Sequence, residues 1–253
     1  MHTLHHFEQA FQSVGWFIPP YVQMGSLSQL AGKIFSSPRP MTADELEIEL
    51  SQLYGPGGLA AMVLHRYPSV PTLSEYRQTI SEAIEAHFLG LHHVAAMGLV
   101  PVVEGAGRRL LDSRVAQQVA RNQSIKDVIV ELAVYCKVQS RMGNAGHAGE
   151  VEVESVMNSF SWFAKNVLFA DSATHGFLDN TNRHGMAHGI YRDADYGRPI
   201  NFYKIMAAVE FLTFVSSFTA NVSWFAPSPT EQSNKLAAYY LLLGKIGAGR
   251  SPA

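Results

Sequence analysis

The sequence predicts an all-α protein. Apolar residues recur at helical spacing in one segment after another, and no stretch alternates apolar and polar residues between hairpin turns. The segments are also separated by the Gly, Pro, Ser/Thr and Asn/Asp clusters that stop and start helices. No internal repeat is present. With 253 residues, 47% of them hydrophobic, the chain can bury a substantial core as one large domain or two small ones.

The elements follow in order. Leu4, Phe7, Phe11 and Val14 place a helix over 4–15, stopped by Gly15 and by Pro19-Pro20. A second helix is expected over 26–35. Thr42-Ala43-Asp44-Glu45 is a capping box and opens a helix that ends near Tyr54, with Gly55-Pro56-Gly57-Gly58 as the breaker after it. A short helix from Leu59 to Tyr67 leads to Pro68-Ser69-Val70-Pro71. That cluster is the expected boundary between an N-terminal helical portion, 1–70, and a helical bundle, 71–250, unless the whole chain forms one domain. From Leu73 to Met97 the pattern reads as one long helix with a stripe of Ile80, Ile84, Phe88, Leu91, Val94 and Ala95. A further helix over 99–111 carries Pro101 in its first turn. Ser124 to Arg141 reads as a core helix, and Gly143 to Gly149 as a glycine-rich loop. Val151 to Phe169 is amphipathic through Val156, Phe160, Phe163 and Val167. Tyr196-Gly197-Arg198-Pro199 turns the chain into a long apolar helix from Asn201 to about Val222. Pro227 and Pro229 separate it from a last helix, Thr230 to Ile246, beyond which the tail frays. The predicted core includes Leu132, Val156, Phe160, Ile205, Val209 and Leu212.

Charge and cysteine usage exclude several classes. Lys plus Arg number 19 against 21 Asp plus Glu, so no global basic field draws the protein onto nucleic acid or an anionic membrane. Any polyanion would have to be gripped locally. The single cysteine, Cys136, lies in an apolar run and reads as a core thiol, which suits a reducing, cytoplasmic setting. The first residues lack the basic-then-apolar pattern of a signal peptide. Glu210, His92, His93 and Pro101 interrupt the longest apolar windows before the roughly twenty residues of a membrane span, so no membrane association is expected.

One stretch concentrates chemistry: Asn182-Arg183-His184-Gly185-Met186-Ala187-His188-Gly189, after the Asp179/Asn180 turn signal. If it winds into a helix, His184 and His188 share a face and Arg183 points along a neighbouring direction. A fixed cation beside an imidazole suits an anionic substrate, because Arg can hold a phosphate by two parallel hydrogen bonds while His moves a proton. Competing motifs are weaker. Glu82, Glu85, His87, His92 and His93 invite a metal site, but the Glu-x-x-His pairs of a two-metal bundle are missing, so these histidines read as packed or surface residues. His184 and His188 with Asp193 or Asp195 could hold zinc or iron, yet the Glu of a His-Glu-x-x-His site is missing. No metal and no cofactor is therefore expected. Gly105-Ala106-Gly107 lacks the third glycine and preceding strand of a dinucleotide site, and no P-loop or nucleophile elbow occurs. Arg108, Arg109, Arg114 and Arg121, with Lys126, make 108–126 the most basic segment, read either as a solvated helix face or as a groove that tracks RNA phosphates.

Arg followed four to six residues later by His resembles the signature of the HEPN superfamily, helical domains that include many RNA-cutting toxins and antiviral nucleases. Arg141 and His147 share the spacing, but Arg141 is followed by Met142 and its His falls in the glycine-rich loop. Arg183 is followed by a polar residue, His184, of the kind the family carries there. The form Asn-Arg-His-x-x-x-His-Gly is similar to that of bacterial HEPN-like proteins of the abortive-infection kind. The resemblance covers at most residues 71–250, and its specific part is these eight residues; residues 1–70 have no counterpart in it. It implies a HEPN-like bundle with an N-terminal helical extension and a homodimer in which two motifs face each other. It also implies a metal-independent endoribonuclease, a toxin or phage-defence effector, with RNA as substrate and an antitoxin or other regulatory partner. Arg183, His188 and His184 would be its catalytic residues. On the residues alone an alternative stays open: a catalytically inactive helical binding module, with Arg183 on helix carbonyls or an acidic neighbour such as Asp179, and His188 packed against the bundle.

Overall fold

The computed structural model describes residues 4–115, 127, 128, 131, 132, 134, 147–217, 220 and 222–250. Among these residues the chain is all-α, with no strand. In order come α1 (His5–Ser13), α2 (Met24–Ser36), α3 (Ala43–Leu53), α4 (Pro56–Ala61), α5 (Arg77–Phe88) and α6 (His92–Val115). After the segment that includes 116–126 come α7 (His147–Phe163), α8 (Arg183–Ala187), α9 (Pro199–Ser217) and α10 (Glu231–Ala248).

Several starts and stops fall where local chemistry puts them. The Thr42 hydroxyl accepts from the Glu45 N–H at 3.3 Å while the Thr42 N–H donates to the Glu45 carboxylate at 2.9 Å, so both free donors at the start of α3 are satisfied. Thr230 caps α10 in the same way with Ser233. Other expectations are corrected. The helix expected over 73–97 is two helices, because Gly90, at φ +75°, takes a left-handed turn that other residues resist. Its N–H and that of Leu91 then bond back to His87 at 3.0 Å and Ala86 at 2.8 Å, closing α5. Val94 leaves the predicted stripe and is exposed. Pro101 sits inside α6 rather than in a first turn. Gly57 and Gly58 do not break the chain, since Pro56 occupies the first helical position of α4, where its fixed φ helps. That helix runs on as a π turn (Met62–Arg66) and a 3-10 turn (Tyr67–Ser69). His147 to Gly149, expected in a loop, lie in the first turn of α7. Arg141, Cys136 and most of 124–141 lie outside the described residues; Val128 and Leu132 are buried.

The core is built around α9, buried from Ile200 to Ser217 and packed against α6 and α3. Helix α5 lies on α6, α10 on α4 and α5, and α1 on α2 and α7. All six predicted core residues are buried, Val156 being the most open at 8%. Phe160 stacks on Phe211 with centroids 3.7 Å apart, and Phe17 meets both Phe160 and Phe163 at about 5 Å. Residues on both sides of position 70 join one hydrophobic core: Leu30, Leu50 and Leu59 belong to it with Ile84, Val103 and Leu212. His87 lies in that core, its ring stacked on Phe202 at 4.0 Å, and burial, with His92 nearby, pushes its pKa down to about 3. Among the described residues no helix is long and apolar enough to cross a membrane.

Candidate active site

The motif folds as one capped turn of helix. Asn182 is the N-cap of α8: its side-chain oxygen accepts from the Gly185 N–H at 2.9 Å. Its amide nitrogen donates to the carbonyls of Val167 and Ala170, at 3.0 and 2.9 Å, which ties the motif to the end of the helical run from α7. At the other end Gly189, at φ +67°, ends the turn, and the Ile190 N–H reaches back to the Gly185 carbonyl at 3.0 Å. Asn182 and Gly189, chemically plain members of the motif, are thus what cut α8 to five residues. Gly185 has a packing reason as well, since a Cβ there would lie 2.1 Å from the Tyr191 ring.

A buried polar network holds the turn against α9. Asp179 accepts from the Lys204 Nζ at 2.6 Å and from the Thr181 N–H at 3.0 Å. Lys204, fully buried, also donates to the Val14 carbonyl at 3.1 Å. Burial would raise the Asp179 pKa, but the Lys204 ammonium and the hydrogen bonds from Lys204 and Thr181 together outweigh it and hold the carboxyl below its ordinary value. Asn201 adds bonds from its amide to the Asp179 carbonyl at 2.7 Å and the Thr181 hydroxyl at 2.9 Å. Every polar atom added here is partnered, as a buried network must be to stabilise rather than loosen the fold.

The reactive side chains meet at the surface. Arg183 forms an ion pair through Nε and Nη2 with Glu104 of α6. Its Nη1 then points at both imidazoles, 2.9 Å from His188 Nε2 and 3.4 Å from His184 Nδ1. Arginine only donates, so a hydrogen bond at either contact makes that imidazole nitrogen the acceptor. The two rings lie nearly parallel, with centroids 5.7 Å apart. Arg183 is about a quarter exposed and His188 is open to solvent.

Arg183, His184 and His188 are therefore brought together, and Glu104 joins them from 79 residues away in the chain. The acidic partner of Arg183 is this Glu104; Asp179 is engaged by Lys204 instead. Of the candidate RNA-contacting arginines, Arg109 is exposed, forms an ion pair with Glu75 and lies over the Tyr76 ring at 5.6 Å. Arg108 is half-buried one turn beyond Glu104 on α6. Arg121 and the Arg114 side chain lie outside the described residues. Asp193 and Asp195 do not approach the two histidines as ligands: the Asp195 carboxylate accepts from the Arg192 N–H at 2.7 Å, and the Asp193 carbonyl meets His93 Nε2 at 3.2 Å. Among the described residues no three His, Cys, Asp or Glu side chains converge as metal ligands do. Glu104, Lys204 and Asn201 were missed from sequence, and all three stand as isolated polar residues in apolar runs. No protein-family model matches this chain, and no curated protein and no solved structure matches it.

Proposed function

We propose that this chain is a metal-independent endoribonuclease of the HEPN kind, acting as a toxin or phage-defence effector. The observation that supports it most is the 2.9 Å contact between Arg183 Nη1 and Nε2 of a solvent-exposed His188. His188 Nε2 takes the proton of a ribose 2′-hydroxyl, and the freed oxygen attacks the adjacent phosphorus. The bond from phosphorus to the 5′-oxygen breaks, leaving a 2′,3′-cyclic phosphate and a 5′-oxygen that takes up a proton. Arg183 turns its Nη1 from the imidazole to the phosphate and offsets the charge that builds on its oxygens. His184 orients the pair or holds phosphate. Since the nucleophile belongs to the RNA, the step needs no metal-bound water, and DNA survives for want of the 2′-hydroxyl. Two copies related by a two-fold axis supply two motifs to one composite site, and an antitoxin or other regulator would act on that assembly.

One observation favours a catalytically inactive binding module instead: Glu104 already engages Arg183 and offsets the charge a phosphate would seek. The two readings separate in an RNA-cleavage assay with and without chelator. General acid–base help is worth about a hundredfold to ten-thousandfold, so His188→Ala lowers cleavage by roughly that factor with the helical circular dichroism unchanged. A parent protein that leaves RNA intact, or a variant as active as the parent, selects the binding module. Cleavage abolished by chelator overturns the mechanism.

A further inference from the structure

Apart from the motif, a cavity of about 70 Å³ opens between the N-terminal helices and α9, with Tyr21, Leu53, Tyr54, Leu59, Met62 and Glu210 in its lining. That is room for several waters or for a small ligand. None of the motif residues lines it. Glu210 stands in the middle of the buried helix α9, only 4% exposed, and no hydrogen bond from a described residue reaches its carboxyl. Among the described residues the Tyr54 hydroxyl, on a side chain 3% exposed, has no hydrogen-bond partner either, and the same holds for Tyr67, which is outside the lining. Buried polar groups are almost always satisfied, so several left open around one cavity point to something that fills it.

A carboxyl and phenol oxygens offer acceptors, while Val22, Leu53, Leu59, Met62 and Pro227 make the remaining wall apolar. The titratable and charged groups around Glu210 are Tyr54 at the end of α3, Tyr67 in the 3-10 turn, Tyr21 before α2, and Arg66 beside Tyr21. Arg66 is not in the lining: its Nη2 donates to the Phe225 carbonyl at 2.6 Å, its guanidinium lies over the Tyr21 ring, and its Nε and Nη1 have no hydrogen-bond partner among the described residues. A primary ammonium has three donors on a compact head and can carry a short apolar tail, which matches acceptors at the base and aliphatic walls.

We propose that the Glu210 cavity is a binding site for a small primary ammonium ion, its head between the Glu210 carboxylate and the Tyr54 hydroxyl and its alkyl part against Leu53, Leu59 and Met62. Burial pushes the Glu210 carboxyl up to about 8, so near neutral pH the cavity holds a protonated acid. Entry of a cation drives that proton off, and binding is therefore linked to pH.

Calorimetric titration of the full chain with n-propylammonium chloride tests this, with 1-propanol and potassium chloride run in parallel. Propylammonium is expected to bind saturably and to release close to one proton at pH 7, its affinity rising about tenfold from pH 6 to pH 7. Glu210→Gln abolishes binding and Tyr54→Phe weakens it several-fold. Absence of saturable binding at every pH overturns the proposal, as does equal binding of 1-propanol, preferential binding of potassium, or unchanged affinity in Glu210→Gln. Should Glu210→Gln fail to fold, the comparison of propylammonium with propanol on the parent protein decides.

Discussion

Arg183 serves two partners at once: Nε and Nη2 face Glu104, and Nη1 faces the histidines. That division requires a planar fork of donors, so Arg183→Lys should lose most cleavage although the charge remains. In the proposed mechanism Glu104 holds the guanidinium in register. Glu104→Gln keeps its shape and weakens the pairing, so the catalytic rate constant should fall about tenfold or more, as when a group that orients a functional side chain is weakened, with KM nearly unchanged. A KM that rises while the rate constant holds would mean that Glu104 does not position Arg183 for the chemical step. The legible part at this scale was the chemistry: Arg183, His184 and His188 stand close together in the sequence. Glu104 was not legible because its partner lies 79 residues away and only the packing of α8 on α6 brings the two together.

Helix α8 is a single turn and cannot be stable by its own hydrogen bonds, since helix nucleation is unfavourable and five residues do not recover it. Its position comes from Asn182, from the Asp179–Lys204 pair and from Asn201. Lys204→Ala strands the Asp179 carboxylate in the core and should destabilise the fold by about 3–5 kcal/mol, read as a lower denaturant midpoint. A midpoint that stays put would show that the pair does not anchor the motif. The helix cap at Thr42 was readable in advance, because a hydroxyl and its backbone partner are three residues apart; Thr230, expected as the first helical residue, is a cap of the same kind. The break at Gly90 was passed over, since a lone glycine within an apolar stripe is tolerated by a helix unless the chain must turn.

Among the described residues the helices pack around α9, and their all-α character followed from periodicity. What periodicity could not supply was the meaning of charges in apolar runs. Lys204 proved to be the buried partner of Asp179, and Glu210 part of a cavity lining. The Glu210 pKa lies near 8 in the fold against an ordinary 4.5. Raised in this way, it contributes stability that is full below the unfolded value and is lost as pH rises through the folded one. Stability should thus fall by about 5 kcal/mol between these limits, and Glu210→Gln should flatten the dependence. A parent protein whose melting temperature is level across that interval would contradict the assignment. As an assembly, the proposed composite site calls for a homodimer, which light scattering at micromolar concentration should detect; an active monomer would remove the two-motif picture.

The most direct measurement is the chemistry of the cut ends. RNA incubated with the purified protein in chelator should yield fragments ending in 2′,3′-cyclic phosphate and beginning with 5′-hydroxyl, and a strand with a single ribose at the cut site replaced by 2′-deoxyribose should resist there. Fragments with a 5′-phosphate, or cleavage beside the deoxyribose, would contradict attack by the 2′-hydroxyl and with it the roles given to His188 and Arg183.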